Sequence, residues 1–270
     1  MIIISTSRGL FNLHGNFFFH EDEGVCFGLA HSDDILYAGF RGPNETTTTI
    51  CSFDKDLNFL NKFIIEGCQD VHGIEVFNGS LFVVSTKTNE IFETDLEGQL
   101  INIHKNPIDC SHHSPHINTI KKDKDGLLLL SHRDNHNQGS CLYLFDPIQK
   151  QSSCLCRSLG DHSHSILSFE NDLWICDSLG GTVFKLQGDI KNKQDEIKKL
   201  NVFKSDGEYL LRGLEFDNKY IYVGASQKAV NAERHKDCNG YILLINKDDR
   251  QNIKTKLIKN CGQVNEILRY

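Results

Sequence analysis

The sequence of 270 residues predicts an all-β protein, a six-bladed β-propeller, from three observations. Short apolar stretches that open with histidine or arginine recur at His72, His116, His164 and Arg212, with spacings of 44, 48 and 48 residues. A period in the mid-forties is the length of one four-stranded propeller blade. Each stretch is followed by three further strand patterns separated by turns, and the two chain ends carry incomplete units that complement each other.

The unit that follows His72 serves as the template for the repeat. Strand A is predicted at 74–77, strand B at 81–85, strand C at 91–95 and strand D at 99–103, with turns at Asn78-Gly79 and Glu97-Gly98. Such dipeptides between short apolar runs are hairpin signals. The other four complete units place strands A to D at 28–31, 35–40, 48–53 and 57–65; 117–121, 127–131, 141–145 and 152–157; 165–169, 173–176, 182–186 and 197–203; and 213–216, 220–224, 241–245 and 253–258.

The chain ends supply the sixth unit. Residues 264–269 match one more A strand, and residues 2–5, 10–13 and 16–19 match B, C and D strands without an A strand before them. Joined, they make a sixth blade that closes the ring with strands from both ends, which removes an open sheet edge. We therefore predict one propeller domain over residues 1–270. The alternative architecture is a sandwich of two sheets.

Composition restricts the class of function. The net charge of −7 without a basic bias argues against nucleic acid as the main partner. No apolar run reaches the roughly 18 residues that span a bilayer. The first residues lack a secretory apolar region, so we expect a cytoplasmic protein whose ten cysteines are mostly reduced and buried.

His72, His116 and His164 are the candidate metal ligands. We predict that they begin the inner strands of three neighbouring blades and converge near the central axis. Three imidazoles with one open position form a catalytic site for zinc, iron or copper. The alternative is that the histidines surround an anion as hydrogen-bonding, pH-sensitive groups. His112, His113, His132 and His162 are spare candidates.

A cationic ring is predicted on the same face. The loops between the second and third strands carry Arg8, Arg41, Lys87 and Arg133 in one register, which suggests an anionic ligand, although solvated loops also carry such residues. Arg212 would hold an anionic group, with Glu75 and Glu266 as further catalytic candidates at equivalent strand positions together with Glu215. The full set of predicted substrate contacts is Arg8, Arg41, Arg133, Asn118, His132, Asn265 and Arg234, the last on the long loop 226–240.

Several of these motifs resemble an uncharacterised, conserved-hypothetical bacterial β-propeller family. The resemblance covers roughly residues 70–270 and rests on motifs around Asp70-Val71-His72-Gly73, His116-Ile117-Asn118, Ser163-His164-Ser165, Leu211-Arg212-Gly213 and Gly262-Gln263-Val264-Asn265-Glu266. It implies a propeller fold but no chemistry. A looser similarity is to the peptidyl-hydroxyglycine amidating lyases, which implies six blades with three inner-strand histidines on zinc and an arginine nearby.

Two functions remain open from the sequence. The first is a metal-dependent lyase, hydrolase or oxygenase that acts on a small anionic or peptide-like substrate. The second is a non-catalytic propeller that binds a peptide or protein partner on the same face.

Overall fold

The computed structural model describes residues 1–20, 24–42, 45–108, 116–132, 139–169, 172–188, 190, 198–205, 208–228 and 238–270. These residues form 24 β-strands in six four-stranded antiparallel sheets, and they contain no helix. The described residues accordingly include no helix long and apolar enough to cross a membrane. The all-β, six-bladed propeller fold is confirmed.

The strands group into two compact units, of which residues 21–159 form the first. This unit holds three blades, each with its strands in chain order across the sheet. Blade 1 comprises β4 (Val25–Ser32), β5 (Ile35–Arg41), β6 (Thr47–Phe53) and β7 (Phe59–Glu66). Blade 2 comprises β8 (Val71–Phe77), β9 (Ser80–Ser85), β10 (Glu90–Thr94) and β11 (Leu100–Lys105). Blade 3 comprises β12 (Ile117–Asp123), β13 (Gly126–His132), β14 (Ser140–Asp146) and β15 (Gln151–Cys156).

The second unit consists of residues 1–20 and 160–270 and also holds three blades. Blade 4 comprises β16 (Ser163–Phe169), β17 (Asp172–Asp177), β18 (Thr182–Gln187) and β19 (Lys198–Lys204). Blade 5 comprises β20 (Tyr209–Phe216), β21 (Tyr220–Gln227), β22 (Gly240–Asn246) and β23 (Ile253–Ile258). Blade 6 comprises β24 (Val264–Arg269), β1 (Ile2–Thr6), β2 (Gly9–Asn12) and β3 (Phe17–Phe19).

Closure of the sixth blade by both chain ends is confirmed. β24 pairs antiparallel with β1, and Ile4 lies opposite Ile267. The sheet order β24-β1-β2-β3 is the predicted order. All of β1 and all of β24 except Arg269 are buried, and Ile2, Ile4, Val264 and Ile267 belong to one core cluster.

Four of the six inner strands begin earlier than the sequence predicts, whereas β12 and β24 begin at the predicted residues. β4 starts at Val25 instead of residue 28, and β20 starts at Tyr209 instead of residue 213. The register of all six inner strands shifts near the start, between Cys26 and Gly28 in blade 1, for example. A β-bulge breaks the apolar alternation that marks a strand, so the residues before it do not match the pattern.

The small residue that follows His72 and Arg212 in sequence has a packing role. A Cβ on Gly213 would lie 2.9 Å from the Ile267 nitrogen of the next inner strand, and a Cβ on Gly28 would lie 2.8 Å from the Ile74 nitrogen. At these glycines the next inner strand therefore approaches so closely that its backbone leaves little room for a side chain. This contact explains the recurring Phe-Gly, His-Gly and Arg-Gly pairs of the repeat.

Candidate functional site

The strand register defines equivalent positions in the six blades. Six buried apolar residues share the same place in the inner strands: Leu29, Ile74, Ile120, Ile166, Leu214 and Ile267. The residue two places before each of them is called here the entry position. The entry positions are Phe27, His72, Asn118, His164, Arg212 and Asn265.

The register corrects the alignment of His116 with His72 and His164. Asn118 occupies the entry position of blade 3, and His116 lies two residues earlier, just before β12. Backbone angles support this alignment, because Asp70, His116 and His162 each lie two residues before an entry position and have φ of 55°, 41° and 53°. The regular spacing of the three histidines in the sequence therefore includes residues from two different positions of the blade.

Glu266 also differs from its predicted alignment. Glu75 and Glu215 each follow the buried apolar residue of the inner strand, whereas Glu266 precedes Ile267 and lies opposite Ser5. The Glu75 carboxylate accepts a hydrogen bond from its neighbour Val76 and lies 3.9 Å from the Lys122 ammonium. At about 3.3 Å per residue, Glu75 lies about 10 Å along the strand from His72.

The imidazole of His72 is fixed by a hydroxyl relay in blade 2. The Thr86 hydroxyl donates to the Ile117 carbonyl oxygen at 2.6 Å, and its oxygen lies 2.9 Å from His72 Nδ1. Because the hydroxyl proton is committed to the carbonyl, the Thr86 oxygen accepts from Nδ1–H. In the neutral form, His72 therefore has its proton on Nδ1 and its lone pair on Nε2.

His164 has the same arrangement in the second unit. The Ser178 hydroxyl donates to the Leu211 carbonyl oxygen at 2.7 Å and lies 2.9 Å from His164 Nδ1. The His162 carbonyl oxygen, which can only accept, lies 2.6 Å from the same nitrogen. Both contacts require Nδ1–H, so Nε2 of His164 also carries the lone pair.

A row of rings crosses the entry ends of blades 1 to 3. The Phe27 and His72 ring centres are 4.7 Å apart, and those of His72 and His116 are 5.6 Å apart. His132, at the end of β13, stacks on His116 with ring centres 3.9 Å apart, and its backbone N–H donates to the His116 carbonyl. The structure thus brings together two predicted metal ligands and one predicted substrate contact.

Arg41 and Asp70 lie at one end of this row. The guanidinium of Arg41 lies 2.6 Å from an Asp70 carboxylate oxygen and 4.7 Å from the centre of the Phe27 ring. Burial raises the pKa of Asp70, but the nearby His72 ring and the hydrogen-bonded Arg41 guanidinium together act more strongly in the other direction, so the net pKa is lowered. Asp70 is therefore a carboxylate that lies 3.8 Å from His72 Nδ1.

Arg212 and Asn265 occupy entry positions in the second unit. With the Gln263 amide oxygen turned toward Arg212, that oxygen accepts hydrogen bonds of 3.0 and 3.2 Å from the guanidinium. This contact orients the guanidinium without neutralising its charge. Asn265 is 7% exposed and follows Val264, whose N–H donates to the Ser226 hydroxyl.

The remaining predicted contacts are placed as follows. Arg8 is exposed in the turn between β1 and β2, beside Ser7, whose N–H donates to the Gln263 carbonyl. Lys87 is exposed in the turn after β9, where its N–H donates to the Gln69 carbonyl. Arg133, Arg234, His112 and His113 lie outside the described residues.

The separations between the histidine rings can be compared with those of imidazoles that share one divalent ion. Two imidazoles on one tetrahedral zinc, with Zn–N of about 2.0–2.1 Å, have ring centres about 5 Å apart. The separation of 5.6 Å between His72 and His116 is close to this value, whereas the stacked pair His116 and His132 is too close. Within the part of the chain that the structure describes, no three His, Cys, Asp or Glu side chains are already arranged to hold a metal ion. The predicted third ligand, His164, belongs to the other unit, so the three-histidine set stays a prediction.

Comparisons with known proteins identify the fold. No family model and no curated protein matches the chain. Among solved structures, a nidogen/laminin complex is similar over 98% of this chain and 96% of that chain, with a TM-score of 0.68 and 11% identity. The calcium-binding protein regucalcin from Agrobacterium tumefaciens strain C58 covers 85% of this chain and 73% of its own, with a TM-score of 0.60 and 11% identity. A streptogramin B lyase covers 86% and 82%, with a TM-score of 0.52 and 11% identity.

This chain is a β-propeller. At such low identity the likeness shows the fold alone. The similar propellers include a lyase and a calcium-binding protein, so both an enzyme and a binding propeller are compatible with this fold.

Sequence reasoning missed the hydroxyl relay. Thr86 and Ser178 directly follow the second strand of their blade, and Ser226 is the second-last residue of that strand in blade 5. All three hydroxyl groups bond to the inner strand of the next blade. The hydroxyl residues recur at that place in the repeat, which is the signal that could have identified them.

Proposed function

We propose that the chain is a metal-dependent propeller enzyme, a lyase, hydrolase or oxygenase, that acts on a small anionic or peptide-like substrate. His72, His116 and His164 are the proposed ligands of a divalent zinc, iron or copper ion. When bound, such an ion polarises a substrate oxygen or activates water. We further propose that the chain is related to the uncharacterised bacterial propeller family whose motifs it resembles. We also propose that it is located in the cytoplasm. The nine described cysteines, all free thiols, support that location.

The observation that carries the proposal is the fixed tautomer of His72 and His164. Metal-binding histidines commonly donate the second ring N–H to a carbonyl, carboxylate or other acceptor, which fixes the ring and raises its basicity. Here both rings donate Nδ1–H to a hydroxyl that is itself bonded to the backbone. Each of the two blades uses one buried hydroxyl group for this relay. The relay holds the imidazole ring so that Nε2 points in one direction.

The other groups have separate roles in this proposal. Arg212, oriented by Gln263, would bind a carboxylate or phosphate of the substrate. Asp70 lies 3.8 Å from His72 Nδ1, and its negative charge raises the basicity of the ring whose Nε2 is the proposed ligand atom. Asn118 and Asn265, at entry positions, are proposed to hydrogen-bond the substrate.

Metal content tests the proposal directly. The wild-type protein, expressed with zinc, iron or copper supplied, should contain about one divalent ion per chain by elemental analysis. The variants His72→Ala, His116→Ala and His164→Ala should each lose most of it, because two imidazoles hold an exposed ion poorly. His14→Ala is the matched control, because His14 is exposed in the turn before β3. Equal metal content in all five proteins, or none in the wild type, would refute the metal-dependent function.

One observation favours the second candidate, a non-catalytic propeller that binds a peptide or protein. His116 is stacked on His132 at 3.9 Å, which suits a hydrogen-bonding surface better than a ligand shell. A binding propeller would retain its ligand after treatment with a chelator, and the affinity would fall with His132→Ala as strongly as with His72→Ala. The metal-dependent enzyme predicts a much smaller effect of His132→Ala.

A further inference from the structure

A cavity of about 310 Å³ lies between blades 4 and 5, inside the second unit. Its walls come from the end of β19 and from the sheet of blade 5. The lining includes the aromatic side chains of Phe203, Tyr209 and Tyr241 and the aliphatic side chains of Leu211 and Leu243. Thr255 and Ser205 contribute hydroxyl groups. The volume is at the lower end of the range for small-molecule sites.

The aromatic walls have a geometry that suits a planar ligand. The Tyr209 and Tyr241 rings are 5.7 Å apart and nearly perpendicular, at 82°. A flat ring that stacks on one of them presents its edge to the other, and both arrangements are favourable for aromatic pairs. Phe203, Tyr209, Tyr241 and Leu243 contact the core of blades 4 and 5 and are only partly buried, so a ligand would remove further apolar surface from water.

The walls of the cavity are held in place by the backbone. The N–H of Ser205, the residue after β19, donates to the Gly181 carbonyl at 2.8 Å. Gly181 belongs to the turn between β17 and β18, and a Cβ at this position would lie 2.4 Å from the Ser205 hydroxyl. The end of β19 is therefore fixed on its own blade, so the cavity does not depend on a loose edge.

One lysine contributes its charge to the cavity. Lys199 and Lys254 lie over the rings of Phe184 and Tyr220, and the exposed Glu208 precedes the lining residue Tyr209. Lys204 itself lines the cavity. An anionic group at the cavity rim can therefore pair with the Lys204 ammonium, and exposure to solvent weakens this contribution.

We propose that this cavity binds a small molecule with a planar aromatic body and one carboxylate. The aromatic body stacks on one of the rings of Tyr209 and Tyr241 with its edge toward the other, and the carboxylate faces Lys204. The site is separate from the entry positions and does not require a metal ion, so its failure and that of the proposed enzyme are distinguishable.

Titration calorimetry with 2-naphthoate tests the site, with neutral 2-naphthylmethanol and aliphatic cyclohexanecarboxylate as matched probes. The wild type should bind 2-naphthoate at least fivefold more tightly than either probe. Tyr241→Ala and Lys204→Ala should each weaken 2-naphthoate by at least threefold. Tyr220→Ala and Lys219→Ala remove a tyrosine and a lysine elsewhere in the same blade and should leave the affinity unchanged.

A cavity-filling variant keeps the test decisive if Tyr241→Ala fails to fold. Thr255 is exposed on the outer strand β23, so Thr255→Trp should fold and block the cavity. Loss of 2-naphthoate binding in Thr255→Trp supports the site. No binding to the wild type at millimolar concentration, equal affinity for the neutral probe, or unchanged affinity in Thr255→Trp would overturn the proposal.

Discussion

The two units of three blades share one backbone plan but differ in charge and in the side chains at the entry positions. Residues 21–159 carry 11 Lys and Arg against 20 Asp and Glu, a net charge of −9, whereas the other residues carry 18 against 16, a net charge of +2. The first unit presents Phe27, His72 and Asn118 at its entry positions. The second presents His164, Arg212 and Asn265.

The comparison teaches which features belong to the blade and which are specific to one site. Bulges near the start of the inner strand occur in all six blades, and a hydroxyl bridge to the next inner strand occurs in both units. The row of contacting rings from Phe27 to His132 is found in the first unit, and the guanidinium of Arg212 in the second. The repeat thus fixes a backbone frame, and chemical differences are concentrated at the entry position.

The largest predicted effect concerns the small residue beside the entry position. Gly213→Ala should lower the free energy of unfolding by about 3 kcal/mol, because the new Cβ would contact the Ile267 backbone at 2.9 Å and φ is +76°. Gly79→Ala is the matched control, with φ of +81° and nothing within 4 Å of the new Cβ, and should cost about 1–2 kcal/mol. Urea denaturation measures both, and equal costs would show that close strand approach is not a feature of the blade.

The second prediction tests whether the hydroxyl relay acts alike in both units. Thr86→Val and Ser178→Ala each leave the next blade's carbonyl without its donor and should cost about 1–3 kcal/mol. If the histidines bind metal, both variants should also reduce metal affinity about 10–100-fold. Thr86→Ser keeps the hydroxyl and should retain most of the stability and affinity. A loss in one unit only would show that the relay serves different purposes in the two units.

The fold could be predicted from the sequence because it is encoded by local and repeated signals. Strand patterns and turn dipeptides such as Asn78-Gly79 depend on neighbouring residues, and the complementary ends predicted the pairing of β24 with β1. The starts of four inner strands could not be predicted with the same accuracy, since a bulge such as that at Phe27 or Gly213 interrupts the alternation.

The candidate site was harder to predict for a related reason. The spacing of His72, His116 and His164 suggested one structural position, but a two-residue offset separates His116 from the others. The stacking of His116 on His132 and the pairing of Arg41 with Asp70 join residues that are 16 and 29 positions apart. Such contacts depend on loop paths that residue patterns do not specify.

The third prediction concerns acid stability and compares Asp70 in the first unit with Asp217 in the second. The pKa of each carboxyl is lowered, although burial opposes the shift: neighbouring His72 and Arg41 act on Asp70, and the Tyr222 hydroxyl and backbone N–H groups act on Asp217. A carboxyl with a lowered folded pKa stabilises the protein above its unfolded pKa, near 3.8, and this stability is lost as the pH falls through the folded pKa.

Asp70→Asn and Asp217→Asn should therefore each flatten the loss of stability below about pH 4, and both should destabilise the protein at neutral pH. Denaturation followed from pH 7 down to pH 2 measures the effect. If Asp70→Asn leaves the slope of unfolding free energy against pH unchanged, Arg41 and His72 do not stabilise the Asp70 carboxylate. The first unit would then lack the acid-sensitive carboxylate that Asp217 provides in the second.

The smallest predicted effect is that of Lys122→Ala, beside Glu75. Glu75 and Glu215 occupy equivalent positions in the two units and can be compared. Each carboxylate accepts a hydrogen bond from the next residue's N–H. The second partner differs, because Glu215 accepts from the Arg269 N–H at 2.8 Å, whereas Glu75 lies 3.9 Å from the exposed Lys122 ammonium. Exposed ion pairs contribute about 0–1 kcal/mol, so Lys122→Ala should change the free energy of unfolding by less than 1 kcal/mol. A loss above 2 kcal/mol by urea denaturation would show that Lys122 neutralises a buried charge, and Glu75 would then be a better candidate for chemistry than its distance from His72 indicates.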